Sequence, residues 1–147
     1  MIEREELVRA LERAPALADR LASEAPFETV DDVIQRARAL LDEMTIGERI
    51  AVLDAHPRIG ADPRSLSDDS RREQGQGDPA VSAELARLND EYERQYGFRF
   101  VVFVAGRSRA EIVPVLRERL VREREDELLT GTGEFLAIAR DRLSRGR

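Results

Sequence analysis

Apolar residues recur at Val30, Val33, Ile34, Ala37, Leu40, Leu41 and Met44, the i, i+3, i+4, i+7 rhythm of a helix with one buried face. Ahead of them, Leu7, Ala10, Leu11 and Ala14 mark a shorter helix that Pro15 interrupts, and Pro15 itself suits the first turn of a second one. Thr45 and Glu48 form a capping-box pair for a helix carrying Ile46, Ile50 and Leu53, which ends near Asp54, just before His56-Pro57. From Pro57 to Pro79 the chain is rich in Gly, Pro, Ser and Asp and reads as a loop, with room for one helical turn from Ser67 to Gln74. Irregular stretches of that length in a compact domain tend to carry function. A further helix is expected from about Val81 to Tyr96, with Leu85, Leu88 and Tyr92 on one face and Gly97 as its stop. Phe98 to Val104, FRFVVFV, has the composition of a strand but finds no partner elsewhere in the chain, so the expectation is an extended segment packed among helices. Ser108 and Glu111 cap the next helix, through Ile112, Val113, Leu116 and Leu120, with a kink expected at Pro114. Gly131-Thr132-Gly133 should break the pattern before a last helix that turns Phe135, Leu136, Ala139 and Leu143 inward and alternating Arg and Asp outward. At least five helices without paired strands predict an all-α fold, a single-domain helical bundle spanning residues 1–147.

Composition narrows the chemistry. With 41% hydrophobic and 37% charged residues, 147 residues can bury a core without covalent staples. The absence of cysteine removes disulfides, thiol nucleophiles and thiolate zinc sites. All 24 basic residues are arginine, so no lysine Schiff base can form. Interleaved with 30 acidic residues for a net charge of −6, the arginines give no footprint for nucleic acid. The opening MIEREELVRA shows neither a signal peptide nor a membrane span, so the expected location is cytoplasmic, with no membrane partner.

His56 is the one histidine, and so the one side chain that ordinarily exchanges protons near neutrality. The following Pro57 biases it to an extended backbone. Taken alone, a histidine beside a turn is more often a plain structural residue. Ser70, Glu73 and Gln74 bring a hydroxyl, a carboxylate and an amide to one side of a turn, a set that suits a ligand rich in N–H and C=O groups. The same spacing also reads as a capping box. Arg140 and Arg142 on the last helix can clamp a carboxylate or ureido carbonyl through the guanidinium fork, although among so many arginines either can be a surface charge. One histidine and scattered carboxylates give no metal-ligand spacing, and Gly75-Gln76-Gly77 lacks the Lys-Ser/Thr of a phosphate loop.

Taken in order, Ala55-His56-Pro57-Arg58-Ile59-Gly60, then Ser70 with Glu73-Gln74, then Leu88-Asn89, Tyr92 and Tyr96-Gly97-Phe98 with Phe100, and finally Ile138 with Arg142-Leu143, resemble a known family. They are similar to 2-oxo-4-hydroxy-4-carboxy-5-ureidoimidazoline (OHCU) decarboxylase. The resemblance implies an all-α homodimer that takes a small ureidoimidazoline to (S)-allantoin in the last step of urate conversion. No cofactor is implied, because the substrate's own ring C=N bond receives the electrons released with carbon dioxide. It further implies that His56 bonds the hydroxyl or carboxyl end and drives decarboxylation, that Glu73 orients ureido or ring N–H groups, and that Arg142 grips substrate oxygens. Pro57, Ser70 and Gln74 would line the pocket, and the backbone amides of Val101, Val102, Phe103, Val104 and Ala105 would hold the ring. Two departures stand out: Arg99 replaces the family's usual proline, and Gly75-Gln76-Gly77 replaces its Ala-Gly continuation. They motivate two other readings, an inactive helical interaction or regulatory module on the same scaffold, and a decarboxylase of a related ureide.

Overall fold

A computed structural model describes residues 1–60 and 78–147. Among these residues there are seven helices: α1 (Arg4–Ala10), α2 (Leu17–Ser23), α3 (Val30–Glu43), α4 (Ile46–Asp54), α5 (Pro79–Tyr96), α6 (Arg109–Arg119) and α7 (Arg124–Arg145). The only β feature among them is an isolated antiparallel bridge between Ile2 and Phe27. The all-α expectation is met. No helix among the described residues is long and apolar enough to cross a membrane.

Local chemistry explains most of the boundaries. Thr45 accepts from the Glu48 amide while Glu48 accepts from the Thr45 amide, and Ser108 and Glu111 repeat the arrangement, so both capping boxes form. Thr29 opens α3 by accepting from the Asp32 amide. Asp78 opens α5 with Pro79 at its first position, two residues earlier than the apolar pattern alone suggests. Gly97 closes α5 at φ 82°, a left-handed conformation that a side chain would strain. α2 starts at Leu17, not at Pro15: Glu12, Arg13 and Ala16 all have positive φ, and this tight turn occupies the residues around the proline.

Two expectations are corrected. Gly131-Thr132-Gly133 does not break the helix but lies inside α7, which already begins at Arg124. A Cβ on Gly131 would sit 3.0 Å from the Leu53 side chain, so the glycine lets α4 lie close against α7. Thr132 returns its hydroxyl to the Leu129 carbonyl at 3.0 Å and stays helical. Nor do arginines of α7 all face outward. Arg140 is exposed and pairs with Asp31, whereas Arg142 is buried.

α7 is the central element, with α1, α3 and α4 packed on it, α2 joining α1 to α3, and α5 lying on α6. One apolar core runs through all of these, from Leu7 and Leu21 through Ile34, Leu40 and Leu53 to Tyr92, Phe135 and Leu143. Burying side chains of this size yields about 1.5–3 kcal/mol each, offset by the entropy of ordering the chain.

Candidate active site

The segment from Phe98 to Val104 is extended and unpaired, as expected, with Phe98, Phe100, Val101, Val102 and Val104 buried and Arg99 and Phe103 partly so. A backbone in that position needs hydrogen-bond partners. Side chains supply several. Asp54 accepts from the Arg99 amide at 2.9 Å, Arg119 donates to the Val101 carbonyl at 3.1 Å, and Arg107 donates to the carbonyls of Phe103 and Val104. Arg119 is itself held by Glu127, a carboxylate with no exposure that also accepts from Tyr92 at 2.6 Å and Arg122 at 2.8 Å. The Arg119 guanidinium lies 4.8 Å over the Phe100 ring, and Phe100 meets Tyr92 edge-on at 5.3 Å. Burial raises the Tyr92 phenol and the adjacent Glu127 reinforces the shift, so the hydroxyl stays a donor. Ala105 (φ 53°) and Gly106 (φ 78°) then turn the chain, with the Arg107 amide closing on the Val104 carbonyl at 3.0 Å.

This segment forms one wall of a cavity of about 290 Å³, near the lower end of the range usual for small-molecule sites. Phe100 through Gly106 line it; His56, Pro57 and Ile59, just beyond α4, form a second wall, and Ile138, Asp141 and Arg145 of α7 a third. Among the described residues no protein acceptor takes the N–H groups of Val101, Val102, Val104 or Ala105, so the main chain brings unspent donors to this wall.

His56 is 8% exposed and stands edge-on to Phe135 at 5.9 Å between ring centres. Its Nδ1 faces the Pro57 carbonyl at 3.5 Å, while Nε2 is buried without a hydrogen-bond partner. Burial, with the Arg142 guanidinium adding to it, pushes its pKa down to about 4, against an opposing pull from Glu12. The ring is therefore neutral at pH 7. With Nδ1 turned to a carbonyl, the tautomer carrying hydrogen there leaves Nε2 as an acceptor.

The structure brings His56, Pro57 and residues 101–105 together around one cavity. Arg142 does not line it. Its guanidinium bonds Glu12 at 3.1 Å and the Ala10 carbonyl at 3.3 Å, and it acts on His56 through its charge. Ser70, Glu73 and Gln74, with the turn from Ser67 and Gly75-Gln76-Gly77, lie outside the described residues. Ile138, Asp141 and Arg145 were missed; their spacing of three and four along a helix that already offered Arg142 was the available signal. No group of three His, Asp or Glu side chains among the described residues is placed to hold a metal ion.

The OHCU decarboxylase family model matches residues 3–144. The 2-oxo-4-hydroxy-4-carboxy-5-ureidoimidazoline decarboxylase of Mus musculus is 30% identical over 142 residues, covering 91% of this chain and 80% of the mouse protein. The uric acid degradation bifunctional protein of Bacillus subtilis is also 30% identical, over 138 residues, and there the match takes in 90% of this chain but only 28% of the longer protein. A crystal structure of OHCU decarboxylase in the presence of (S)-allantoin superposes with a TM-score of 0.78 at 23% identity, over 95% of this chain and 96% of that one, which speaks for the fold. On the family match across nearly its whole length, the chain belongs to the OHCU decarboxylase family.

Proposed function

We propose that this protein is a carboxy-lyase that converts 2-oxo-4-hydroxy-4-carboxy-5-ureidoimidazoline to (S)-allantoin in urate degradation. Membership of the family carries the reading, and the cavity between the His56 turn and the 98–106 wall supports it. The substrate's carboxylate sits on a ring carbon next to a C=N bond. When the carbon–carboxylate bond breaks, its electron pair forms a C=C bond and the C=N pair takes up a proton at nitrogen. The resulting enol then gains a proton on the ureido-bearing carbon and loses its hydroxyl proton, which completes allantoin. No lysine adduct is needed, in keeping with a chain that has no lysine.

In this reading Nε2 of neutral His56 accepts from the substrate hydroxyl as carbon dioxide leaves. The amides of Val101, Val102, Val104 and Ala105 are the ones available to bind ring or ureido oxygens, where fixed donors in a dry site act strongly, whereas the Phe103 amide, expected to join them, donates to Glu134 at 3.4 Å. Glu73 orients N–H groups, and Ser70, Gln74 and Pro57 complete the pocket. Arg142 supplies positive charge beside His56, and gripping a substrate oxygen would require it to share its guanidinium with Glu12. Holding a planar intermediate with one face toward the proton source makes one enantiomer.

The test generates the unstable substrate in situ from urate and follows the circular dichroism of allantoin. Native protein should accelerate formation of the S enantiomer, and His56→Ala should return the slow racemic course. If native protein leaves that course unchanged, the function is wrong; if His56→Ala is fully active, the site is wrong. A homodimer and a cytoplasmic location belong to the same proposal. Exposed Val121 and Leu129, flanking the first turn of α7, support the first, and a cysteine-free sequence suits the second. Sedimentation and cell fractionation test them.

A further inference from the structure

Two of the cavity's walls come from stretches more than forty residues apart, and one pair of residues ties them together on the side away from the cavity. The Arg99 amide donates to Oδ1 of Asp54 at 2.9 Å, and the Arg99 guanidinium donates back to the carbonyls of His56 at 2.9 Å and Asp54 at 3.4 Å. The other terminal nitrogen of the fork stands 4.0 Å from Glu93, which also holds Arg58. Nε of Arg99 is buried without a hydrogen-bond partner, so the side chain is seated against the protein and not trailing in solvent. Arg99 is absent from the cavity lining, although the next residue, Phe100, lies on one wall and His56 and Pro57 on the other.

The Asp54 carbonyl is one that a helix leaves unsatisfied as it ends, the His56 carbonyl lies two residues beyond it, and a cation suits that end of α4. A plain helix cap would need one such contact. Here the same residue belongs to the opposite wall, so its three hydrogen bonds set the spacing between the His56 main chain and the amides of residues 101–105. We propose that Arg99 is a positioning residue, which fixes the His56 ring relative to the 98–106 wall and thereby sets the rate of the reaction at the cavity. The inference rests on the functional reading above. Misplacement of a reacting group by about 1 Å costs up to about a hundredfold in rate, so loosening one wall by less should cost about tenfold.

The experiment compares native protein with Arg99→Ala and Arg99→Lys in the same allantoin assay, and follows the ring ¹³Cε1–H signal of His56 through a pH titration by NMR. A single histidine makes that signal unambiguous. Besides Arg99, the groups acting on the ring are Arg142, Glu12 and the Pro57 carbonyl, and none of these is altered. Expected are folded variants in which Arg99→Ala lowers kcat about tenfold and, through loss of its charge as well, moves the His56 titration upward, while Arg99→Lys, which keeps the charge but reaches a single carbonyl, decides between charge and position by a smaller loss of kcat with a displaced His56 signal. Native kcat in folded Arg99→Ala overturns the proposal, as does a lowered kcat with an unmoved His56 signal. If Arg99→Ala does not fold, Arg99→Lys and Asp54→Ala decide by the same readouts, and a lowered Tm with native kcat and native titration leaves only a stabilising cap, which also overturns it. Failure of the functional reading looks different: native protein then gives no enantiomeric excess, while the His56 titration still reports on the clasp.

Discussion

Because His56 is buried and neutral in the folded protein, its titration should be written into stability. An imidazole in the unfolded chain takes a proton near pH 6.5, whereas in the fold burial and Arg142 hold its pKa down to about 4. Between those two values the unfolded state binds one more proton than the native state, so stability rises with pH. The contribution is fully present above pH 6.5 and is lost as the pH falls toward 4, at about 1.4 kcal/mol per pH unit and about 3 kcal/mol in all. Carboxylates titrate over the same range, so the signal has to be isolated. Urea unfolding of native protein and His56→Gln at steps from about pH 4.5 to 8 does this, since the variant keeps every carboxylate and loses only the imidazole. For an m-value of about 1–3 kcal/mol per M, the difference in midpoint between the two should change by about 1–3 M across the range. The native site should also keep a neutral ring, and hence its kcat, down to about pH 5. A difference curve that stays flat, or a folded-state His56 signal titrating near 6.5, would refute the reasoning that burial dominates this ring.

The two glycines of α7 should respond in opposite directions to alanine. Gly133 is exposed with open space around it, so Gly133→Ala should raise stability by about 1 kcal/mol, while Gly131→Ala drives a methyl onto the fully buried Leu53 and should cost about 1–2 kcal/mol in thermal melts. Glu127→Gln leaves Arg119 buried beside a neutral group and should cost about 3–5 kcal/mol, measured by urea unfolding, with Tyr92→Phe costing about 1–2 kcal/mol. Arg140→Ala, which breaks an exposed pair with Asp31, should leave activity unchanged and stability within about 0.5 kcal/mol, whereas Arg142→Ala breaks the buried pair with Glu12 and removes the charge beside His56, lowering both.

What could be read from the sequence was what depends on neighbours in the chain. The capping boxes at Thr45 and Ser108, the glycine stop at Gly97 and the inward face of α3 are each set within a few residues, and each appears as expected. Gly131-Thr132-Gly133 misled because the rule that glycine breaks helices is local, while the reason for Gly131 is Leu53, on another helix. The FRFVVFV segment could be placed as extended, but not its support, because Arg119 and Glu127 are unremarkable among 24 arginines and 30 acids until the fold buries them together. The same holds for the site. His56 stood out by being unique and preceding proline, and the wall at 101–105 by its resemblance, whereas Asp141 and Arg145 looked like two more surface charges on α7. Arg99, which stands where the family usually has proline, does not line the pocket and bonds the His56 main chain instead.

The wall from Phe98 to Val104 is in effect a sheet of one strand, with main-chain donors that no second strand among the described residues takes up. A bound ureidoimidazoline would act there as the missing neighbour, completing secondary structure as well as filling space. Substrate recognition and local folding would then be the same event: at about a hundred times its dissociation constant such a ligand adds about 2.7 kcal/mol to stability. Its imprint would appear as slowed amide exchange at Val101, Val102, Val104 and Ala105. A site read through main-chain donors is also indifferent to which side chains those residues carry, so this wall can drift in sequence while its specificity stays in place.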